Sequence, residues 1–551
     1  MTIKKYINGD EARTKLFNGM KVVADAVGST CGAGGRTIAI QQPWGTTKTT
    51  KDGITVAKSI SLSGAEGEGV KMIVQASEKT GKDAGDGTTN TVIFAKTIAE
   101  NGLKYIDRGC NSTILSRGIK DAVEDVVNTI KSHSKDISSN EEIEQVATVS
   151  ANGDTVIGKL IAEAIKDVGK YGVITVEEAR GLNTELEIVE GMQLENGYLS
   201  PYFITNLEKS LVEFDNPLLF LYDGKINNLK SILPLLEDVS QTGRPLVMIV
   251  DEIDDSALGA LIQNHLKGTL KSCVVKAPSF GDIRKTIMED IAVLTGGQFV
   301  SQILGNDLEK IGVSVLGGCS KIKISPNETV IVNGMGNSES IDARFEQIKA
   351  EIENTESAYD KEKLSERLAK LISGVAVIKV GAATEVELNE IKDRVDDAVC
   401  ATKAALEEGI LPGGGVSLIR AEETLRNKMK DLDGDYAIGY KIVLESLSAQ
   451  LKQIAKNAGH PSDVVVGKIR EVVEVQDEDV KSAMYSYGFD AITGLYGDMF
   501  EMGIIDATKV IRCALLNGSS VARALLSIEG LIIDDIDANK KHNEHLKSLG
   551  M

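Results

Sequence analysis

The hydrophobic period of this sequence changes twice along the chain. From residue 8 to about residue 130, and again from about residue 385, apolar residues recur at helical spacing. Between about residues 172 and 374, short apolar segments such as 218–222 and 246–250 alternate with amphipathic helical segments. Buried strands separated by helices of this length are typical of βαβ units with a parallel sheet. The sequence therefore predicts a multidomain α/β protein with helical ends.

Length and charge restrict the classes of function. A chain of 551 residues exceeds what one hydrophobic core usually supports, so two to four domains are expected. Its 61 basic and 81 acidic residues give a net charge of -20, which disfavours binding to nucleic acid or to an anionic membrane. The six cysteines show no paired spacing, so a reducing compartment is expected. The sequence shows no signal peptide and no bilayer-spanning segment, which predicts a cytoplasmic protein.

Residues 84–91 read Ala-Gly-Asp-Gly-Thr-Thr-Asn-Thr and open an amphipathic helix. A helix that begins on Gly and Thr leaves backbone N–H groups unpaired at the positive end of its dipole, which favours phosphate. The hydroxyls of Thr88, Thr89 and Thr91 can donate to phosphate oxygens, and Asp86 is a hard ligand suited to Mg²⁺. The same run is also typical of an ordinary helix start, so the phosphate interpretation depends on the rest of the chain.

Further glycine-rich turns and carboxylates extend this pattern. The loop at residues 28–36 is neither a Walker A motif nor a dinucleotide fingerprint, and a flexible turn is the simpler interpretation. Residues 413–415 form a second glycine run before a helix. Four aspartates are expected on turns or helix ends near Gly-rich or Thr-rich runs, and they are Asp52, Asp86, Asp397 and Asp506. Each one alone is typical of a solvated cap, but the group suits a metal–nucleotide site in which a carboxylate orients the attacking water.

Several longer motifs occur in a characteristic order. They are Lys-Asp-Gly at Asp52, Gly-Asp-Gly-Thr-Thr from Gly85, Tyr-Leu-Ser-Pro-Tyr-Phe from Tyr198, Lys-Ala-Pro-Ser-Phe-Gly-Asp from Lys276, Gly-Val-Ala-Val-Ile-Lys-Val-Gly-Ala-Ala-Thr-Glu from Gly374, and Gly-Gly-Gly-Val from Gly413. In this order, and over residues 8–530, the sequence resembles a GroEL-type (group I) chaperonin. Agreement over several long motifs is highly specific.

The resemblance implies a subunit with three domains. These would be a mostly helical equatorial ATPase domain (1–132 and 408–551), a small α+β intermediate domain (133–190 and 375–407) and an α/β apical domain (191–374), with hinges at Gly191 and Gly374. It also implies ATP and Mg²⁺ as cofactors and a homo-oligomer of seven-membered rings. Such rings enclose and refold non-native polypeptides under a GroES-like co-chaperonin lid.

The resemblance also implies roles for individual residues. Asp52 and Asp397 would position the hydrolytic water, and Asp86 would hold Mg²⁺. The residues that would bind the nucleotide are Thr30, Cys31, Gly32, Lys51, Gly87, Thr88, Thr89, Asn90, Thr91, Gly414, Asp490, Ile492 and Asp506. The residues that would bind non-native chains in an apical groove are Tyr198, Tyr202, Phe203, Leu233, Leu236, Leu258 and Ile262.

Some positions depart from the family pattern. The phosphate loop reads Cys-Gly-Ala-Gly-Gly over residues 31–35 and lacks the proline and lysine that are usual there, which allows the free loop more conformations. Asp490 adds a negative charge at a position where Asn is usual, and Gln263 makes the groove wall more polar.

We therefore consider two hypotheses, an ATP-driven folding machine and a ring-forming holding or interaction protein with a weakened ATPase. Retention of Asp52, Asp86 and Asp397 favours the first. A metabolic kinase is disfavoured because the middle region offers no second set of polar catalytic residues.

Overall fold

The structure is a computed structural model of the chain. It describes residues 3–41, 47–151, 153–169, 172–179, 181–189, 191–207, 209–301, 308, 311–355, 364, 367–368, 374–471 and 485–535. Contacts between residues divide the chain into two compact units. The first comprises Met1–Ala162, Arg180–Asn183 and Val380–Met551, and the second comprises Glu163–Ala179 and Thr184–Lys379. This division does not test the predicted three domains.

The helices of the described residues follow the predicted helical ends and the alternating middle. In chain order they are α1 (Gly9–Gly28), α2 (Gly53–Ser59), α3 (Gly64–Ala84), α4 (Thr88–Ile106), α5 (Ser112–Ser132), α6 (Asn140–Ser150), α7 (Thr155–Val168), α8 (Leu233–Thr242), α9 (Asp255–Leu266), α10 (Gly281–Thr295), α11 (Ser338–Asn354), α12 (Glu385–Glu408), α13 (Val416–Met429), α14 (Gly434–Ser446), α15 (Ala449–Asn457), α16 (Ser462–Glu471) and α17 (Thr508–Leu526). Among these helices, none has an apolar stretch of the length that would cross a bilayer.

The strands lie mostly in the middle of the chain. They are β1 (Lys4–Asn8), β2 (Ile38–Ile40), β3 (Lys48–Thr50), β4 (Val173–Glu178), β5 (Glu185–Val189), β6 (Gly191–Leu194), β7 (Val212–Asp215), β8 (Leu218–Ile226), β9 (Leu246–Ile253), β10 (Ser272–Lys276), β11 (Phe299–Ser301), β12 (Gly317–Ile324), β13 (Thr329–Gly334), β14 (Val375–Val380), β15 (Ile410–Pro412), β16 (Tyr487–Phe489), β17 (Tyr496–Asp498), β18 (Ile505–Ala507) and β19 (Gly530–Asp534).

The first unit is mainly a helical assembly built from both ends of the chain. Helix α4 packs against α17, α1 against α3, and α5 against α14. Their facing sides share an aliphatic core, in which Leu16, Phe94 and Ile98 are fully buried or nearly so. Strand β1 pairs antiparallel with β19, so that Lys4 lies opposite Asp534. Strands β15 and β18 also pair antiparallel, with Leu411 opposite Asp506.

The second unit contains a mixed sheet with the strand order β10-β9-β8-β12-β13-β6. Strands β8, β9 and β10 are parallel and are connected through α8 and α9, which confirms the predicted βαβ organisation. Strands β12, β13 and β6 continue the sheet in antiparallel fashion. The parallel strands are buried on both faces, which explains their nearly continuous apolar sequences.

Both predicted hinge glycines lie where the chain passes to or from the small sheet with the order β4-β14-β5 in the second unit. Gly191 begins β6, and a Cβ atom there would lie 2.5 Å from the carbonyl oxygen of Ile331. Gly374 immediately precedes β14 and has φ +62°, a conformation that favours glycine. Close packing and backbone conformation therefore account for both glycines, and their role as hinges stays a prediction.

Candidate functional site

The turn between α3 and α4 presents an uncapped helix N-terminus. Gly85 ends α3 in the left-handed conformation with φ +75°, and Gly87 precedes α4 with φ +86°. No side chain caps the first turn of α4. The backbone N–H groups of Thr88, Thr89 and Asn90 therefore have neither a capping side chain nor a partner within the helix, and the positive end of the helix dipole lies behind them. This geometry is consistent with the predicted phosphate-binding site at the start of α4.

Glycine allows this turn to pack against two distant helices. A Cβ atom on Gly85 would collide with the side chain of Cys400 in α12. A Cβ atom on Gly87 would lie 2.8 Å from Cγ1 of Val510 in α17. Because Asp397 precedes Cys400 by about one helical turn, this packing brings Asp86 and Asp397 together.

Asp52 has a structural function and also lies beside the helix start. Its Oδ1 accepts a hydrogen bond from the N–H of Ile54 at 3.2 Å, and its Oδ2 accepts one from the N–H of Thr55 at 3.0 Å. Asp52 is thus the N-cap of α2, as expected for an aspartate in this turn. A Cβ atom on Gly53, the next residue, would collide with Oγ1 of Thr89. The N-termini of α2 and α4 therefore lie in contact.

The glycine-rich phosphate loop is ordered by its own turns and by α15. Within the loop, the N–H of Gly35 donates to the carbonyl of Gly32 at 2.8 Å. Nδ2 of Asn457, the last residue of α15, donates to the carbonyl oxygens of Gly28 and Cys31, both at 2.8 Å. Nε2 of Gln453 donates to Oδ1 of Asn457 at 2.9 Å and so fixes its amide. Asn457 compensates in part for the missing proline, because it restrains the backbone on both sides of Thr30.

Asp506 lies in β18, opposite the glycine run at residues 413–415. The backbone N–H groups of Gly414 and Gly415 and the side-chain amide of Gln450 lie near its carboxyl and favour the charged form, whereas its Oδ2 has no hydrogen-bond partner. Gly414 and Gly415 have φ +66° and +82°, which turn the chain back toward this carboxyl. A Cβ atom on Gly415 would lie 3.1 Å from the backbone nitrogen of Leu451, so a larger residue would push α15 away.

Burial and neighbouring negative charge raise the pKa of Asp86, Asp397 and Asp506. Burial raises the pKa of Asp397 well above its usual value, and the charges of Asp86 and Asp52 raise it further. Burial and the charge of Asp52 raise the pKa of Asp86, while a hydrogen bond from Gly87 lowers it. Burial raises the pKa of Asp506 to about 7, with a further contribution from Asp86. These side chains keep partial exposure, and their mutual repulsion makes the group a favourable environment for a cation.

The carboxylate of Asp86 and the free N–H groups at the start of α4 are consistent with binding of a magnesium–phosphate complex. Within the part of the chain that the structure describes, no three His, Cys, Asp or Glu side chains converge to form a metal cage. Mg²⁺ is usually bound through one or two carboxylates together with waters and substrate phosphates, so it does not require such a cage. Asp86, between two glycines at the uncapped start of α4, fits that arrangement. The thiols of Cys31 and Cys400 have pKa values raised to about 12, mainly by burial, and are not ready ligands.

The other predicted nucleotide residues have different environments. Lys51, Thr88, Thr89 and Asn90 are partly exposed. The structure differs from the sequence analysis at Thr91, because its hydroxyl is buried within reach of Oγ1 of Thr80 and the carbonyl of Gly87. The hydroxyl of Thr30 likewise donates to the carbonyl of Val27 at 2.8 Å. Both hydroxyls therefore form hydrogen bonds within the protein and stabilise the local backbone.

Asp490 and Ile492 lie in the turn between β16 and β17. Oδ1 of Asp490 accepts a hydrogen bond from the N–H of Ile492 at 2.8 Å, and its Oδ2 accepts one from the hydroxyl of Thr493 at 2.6 Å. The side chain of Ile492 is 70% exposed. The turn is therefore preformed and presents an apolar side chain outward, which suits contact with a flat apolar ring. Its role in binding a base stays a prediction.

The predicted substrate residues in the second unit divide by exposure. Tyr202 and Leu233 are 64% and 46% exposed. Tyr198, Leu258 and Ile262 are partly buried and pack on the core of the sheet. Phe203 and Leu236 are only 0% and 7% exposed, so they support the surface from beneath and do not form it.

Three residues at the candidate site were missed in the sequence analysis, and they are Gln450, Asn457 and Cys400. Each one acts through an element far away in sequence, so no local spacing indicates its role. A glycine-rich loop without its proline was the only available signal, since such a loop requires restraint from elsewhere.

Replacing Asn457 with Ala is predicted to weaken nucleotide binding. The change removes two hydrogen bonds that order the phosphate loop, so the loop must be ordered by the nucleotide itself. We expect the Kd for ATP to rise about tenfold and kcat to change less. Titration with a fluorescent ATP analogue and steady-state kinetics measure both. The exposed neighbour Lys456 provides the control Lys456→Ala, and equal affinity in the two variants would contradict the predicted restraint.

Asp506 is predicted to destabilise the nucleotide-free protein at high pH. Because its pKa is raised to about 7, folding favours the protonated carboxyl, and this stability is lost as the pH rises from about 4 through about 7. A shift of this size corresponds to at most about 4 kcal/mol. Asp506→Asn should therefore raise the melting temperature relative to wild type more at about pH 8 than at about pH 5. Comparing the two pH values cancels the pH-independent effect of altered hydrogen bonds, and a difference that does not change with pH would refute the assignment.

Comparisons with known proteins agree with this architecture. The model of the TCP-1/cpn60 chaperonin family matches residues 23–535. Among solved structures, the chain is similar to the chaperonin gp146 from the bacteriophage EL 2 (Pseudomonas aeruginosa), crystallised in the presence of ATP-BeFx. The two share 24% sequence identity with a TM-score of 0.67, over 96% of this chain and 99% of that chain. At this identity the structural likeness shows the fold.

Proposed function

Because this chain belongs to the TCP-1/cpn60 chaperonin family, we propose that its chaperone role is driven by ATP. One observation supports the proposal most strongly. Four aspartates from four separate elements of the first unit lie close enough for their charges to interact, beside the uncapped N-terminus of α4. Isolated caps would not raise one another's pKa. The similar phage chaperonin was crystallised with an ATP analogue, which is consistent with a nucleotide at this site.

The residues of the proposed nucleotide site would have separate roles in ATP binding and hydrolysis. The N–H groups at the start of α4, with Gly32 and Lys51, would bind the phosphates, while Gly414, Ile492 and Asp506 would hold the nucleoside. A Mg²⁺ ion bound at Asp86 would neutralise phosphate charge. Asp397, whose pKa is raised, is suited to accept a proton from the attacking water and to release it afterwards. Asp52 would orient that water, because its own helix fixes its carboxylate.

The second unit would supply the surface for non-native chains. Exposed apolar side chains cost solubility, so a group of them is typical of a binding surface. Tyr202 and Leu233 are the exposed members of the predicted groove, and Gln263 on α9 is also exposed. We further propose that the protein is cytoplasmic, assembles into seven-membered homo-oligomeric rings, and works with a GroES-like lid.

The proposed function is tested with the purified full-length protein. ATP turnover is measured with and without Mg²⁺, and the yield of a chemically denatured model enzyme is measured with and without ATP. We expect Mg²⁺-dependent hydrolysis, and we expect ATP to increase the recovery of active enzyme. Suppression of aggregation without any hydrolysis would instead support the holding protein with a weakened ATPase. Electron microscopy of the same sample tests the ring.

Replacing Tyr202 and Leu233 with Ser is predicted to weaken client binding only. Both side chains are largely exposed, so the fold should tolerate the changes, while the surface loses apolar area. We expect the affinity for a denatured model protein to fall about tenfold, with ATP turnover unchanged. Val464→Ser is the control, since Val464 is 53% exposed and lies on α16 in the first unit. Equal losses in both variants would show that general surface hydrophobicity, and not this groove, determines client binding.

A further inference from the structure

The last turn of α9 is linked to the start of β10 by one imidazole ring. Nδ1 of His265 accepts a hydrogen bond from the backbone N–H of Ser272 at 3.1 Å. Ser272 is fully buried at the first position of β10, so its N–H cannot bond to water instead. Buried backbone N–H groups are almost always paired, because an unpaired one costs free energy. The imidazole therefore supplies an acceptor that the connection from α9 to β10 requires.

The same ring contacts aromatic side chains from two other elements. The ring of Phe203 meets it edge to face, with the centroids 5.6 Å apart, and the centroid of Phe214 in β7 lies 6.3 Å away. Phe203 directly follows Tyr202, and Ile262 lies about one turn before His265 on α9. The elements that carry residues of the predicted groove thus meet at this histidine.

His265 can keep the hydrogen bond to Ser272 only while its ring is neutral. A ring nitrogen that accepts an N–H must keep its lone pair, whereas a protonated ring is a donor at both nitrogens. A second proton would therefore set two donors, Nδ1–H and the N–H of Ser272, against each other. Burial lowers the pKa of His265 below its usual value, and the positive charge of Lys271 lowers it further.

Within the part of the chain that the structure describes, no carboxylate pairs with this ring. Lys271, just before β10, adds a positive charge, and Lys267, at the end of α9, is exposed. The turn at 201–203 carries no charged residue. Glu213 and Asp215 flank the aromatic residue of β7, so their side chains lie on the other face of that strand. The surroundings therefore favour the neutral ring from every side.

We propose that His265 is a positioning residue of the predicted groove, which holds α9 against β10 and the turn at 201–203 when neutral and releases it when protonated. The inference rests on the proposed client-binding role of the groove and extends it, since it makes client binding dependent on pH. An ordinary histidine titrates near about pH 6.5, and the environment of His265 moves its titration to lower pH. The ring is therefore neutral at neutral pH, and its contribution to the groove is lost as the pH falls below about 6.5.

The test uses two substitutions of His265 in the full-length protein. His265→Asn supplies a side-chain oxygen that can accept the N–H of Ser272 and does not titrate. His265→Leu supplies apolar volume without an acceptor. His133→Asn is the matched control, because His133 is exposed and follows α5 in the first unit.

The affinity for a chemically denatured model protein is measured from about pH 5 to about pH 8. Dividing each affinity by that of His265→Asn at the same pH removes the effect of titrating the model protein itself. On this scale we expect wild type and His133→Asn to bind about fivefold more weakly at the acidic end than at the neutral end. His265→Leu should bind about fivefold more weakly than wild type at neutral pH and should lose no further affinity on this scale at acidic pH.

A second measurement needs no variant. Hydrogen exchange of the wild-type protein compares residues 266–276, which include the N–H of Ser272, with residues 246–250 of the buried strand β9. After correction for the intrinsic effect of pH on exchange, we expect acidification to reduce the protection of residues 266–276 and to leave that of residues 246–250 unchanged.

The outcomes separate this inference from the function on which it rests. A ratio of wild-type to His265→Asn affinity that stays constant across the pH range would overturn the inference and leave the client-binding groove intact. Unchanged protection of residues 266–276 on acidification would also overturn it. Failure of the wild type to bind denatured protein at any pH would refute the proposed client-binding surface itself.

Discussion

Asp397→Ala is expected to lower ATP turnover by a factor of about 10² to 10⁴ while the protein still binds ATP. The carboxyl of Asp397 lies beside Asp86 and Asp52 at the uncapped start of α4, and its raised pKa suits a group that accepts a proton and then releases it. Its removal also removes a negative charge that repels Asp86. Affinity for Mg²⁺–ATP should therefore stay equal or rise. Single-turnover hydrolysis and a separate binding titration measure the two effects independently.

Asp396→Ala is the matched control for this experiment. Asp396 is the preceding residue on α12, so its side chain leaves the helix about 100° away from that of Asp397. Its charge raises the pKa of Asp397 less than those of Asp86 and Asp52 do. We expect its turnover to stay within about threefold of wild type. Comparable turnover in Asp397→Ala and Asp396→Ala would refute the assignment of Asp397 to the chemical step.

Asp86→Asn is expected to abolish binding of Mg²⁺–ATP rather than hydrolysis alone. The substitution keeps the size of the side chain and removes the charge that would hold the cation, so we expect the Kd to rise more than about 100-fold. Without nucleotide the same variant should be more stable than wild type, because Asp86 contributes to the repulsion among the partly buried carboxylates. Melting temperatures with and without Mg²⁺–ATP report both effects, since a ligand stabilises only the protein that binds it.

Asp83→Asn provides the control for Asp86. Asp83 lies one turn earlier on α3 and is exposed. This variant should keep the full thermal stabilisation by Mg²⁺–ATP and should not stabilise the nucleotide-free protein. A normal nucleotide-induced shift in Asp86→Asn would show that Asp86 does not hold the metal.

Much of the fold follows from local sequence patterns. The period of apolar residues identifies α4 and the parallel strands β8 and β9, because burial on one face or on both faces leaves a direct trace in the sequence. The glycines at residues 85 and 87 predict the turn and the open helix start, since left-handed backbone favours glycine. Asp52 was identified as a turn residue for the same kind of local reason.

Contacts between distant elements could not be predicted in this way. Asn457 restrains carbonyl groups that lie more than 400 residues earlier, and nothing in its own neighbourhood distinguishes it from a helix-terminal asparagine. Gln450 likewise comes to lie beside Asp506 only when β18 and the glycine run at 413–415 meet α15. The hydroxyl of Thr91 is expected from the sequence to donate to phosphate, but in the structure it donates to Oγ1 of Thr80 in α3 at 2.7 Å.

The exposure of the aromatic residues in the predicted substrate-binding groove could not be predicted from the sequence either. Tyr202 and Phe203 are adjacent aromatic residues in a short turn, and their sequence gives no reason to separate them. In the structure the ring of Phe203 packs against that of His265 and is fully buried, whereas Tyr202 is exposed. In so short a turn the position of the backbone, and not periodicity, decides which ring faces water.

The order in which a ribosome makes this chain has a consequence for its folding. The first unit includes residues from both ends of the chain. During synthesis, α1 and α4 are made long before α17, so apolar side chains such as Phe94 stay exposed until α17 is available to cover them. All residues of the second unit, by contrast, have been made once Lys379 has emerged. The nascent chain of this chaperonin family member thus itself exposes unpaired apolar surface for most of its own synthesis.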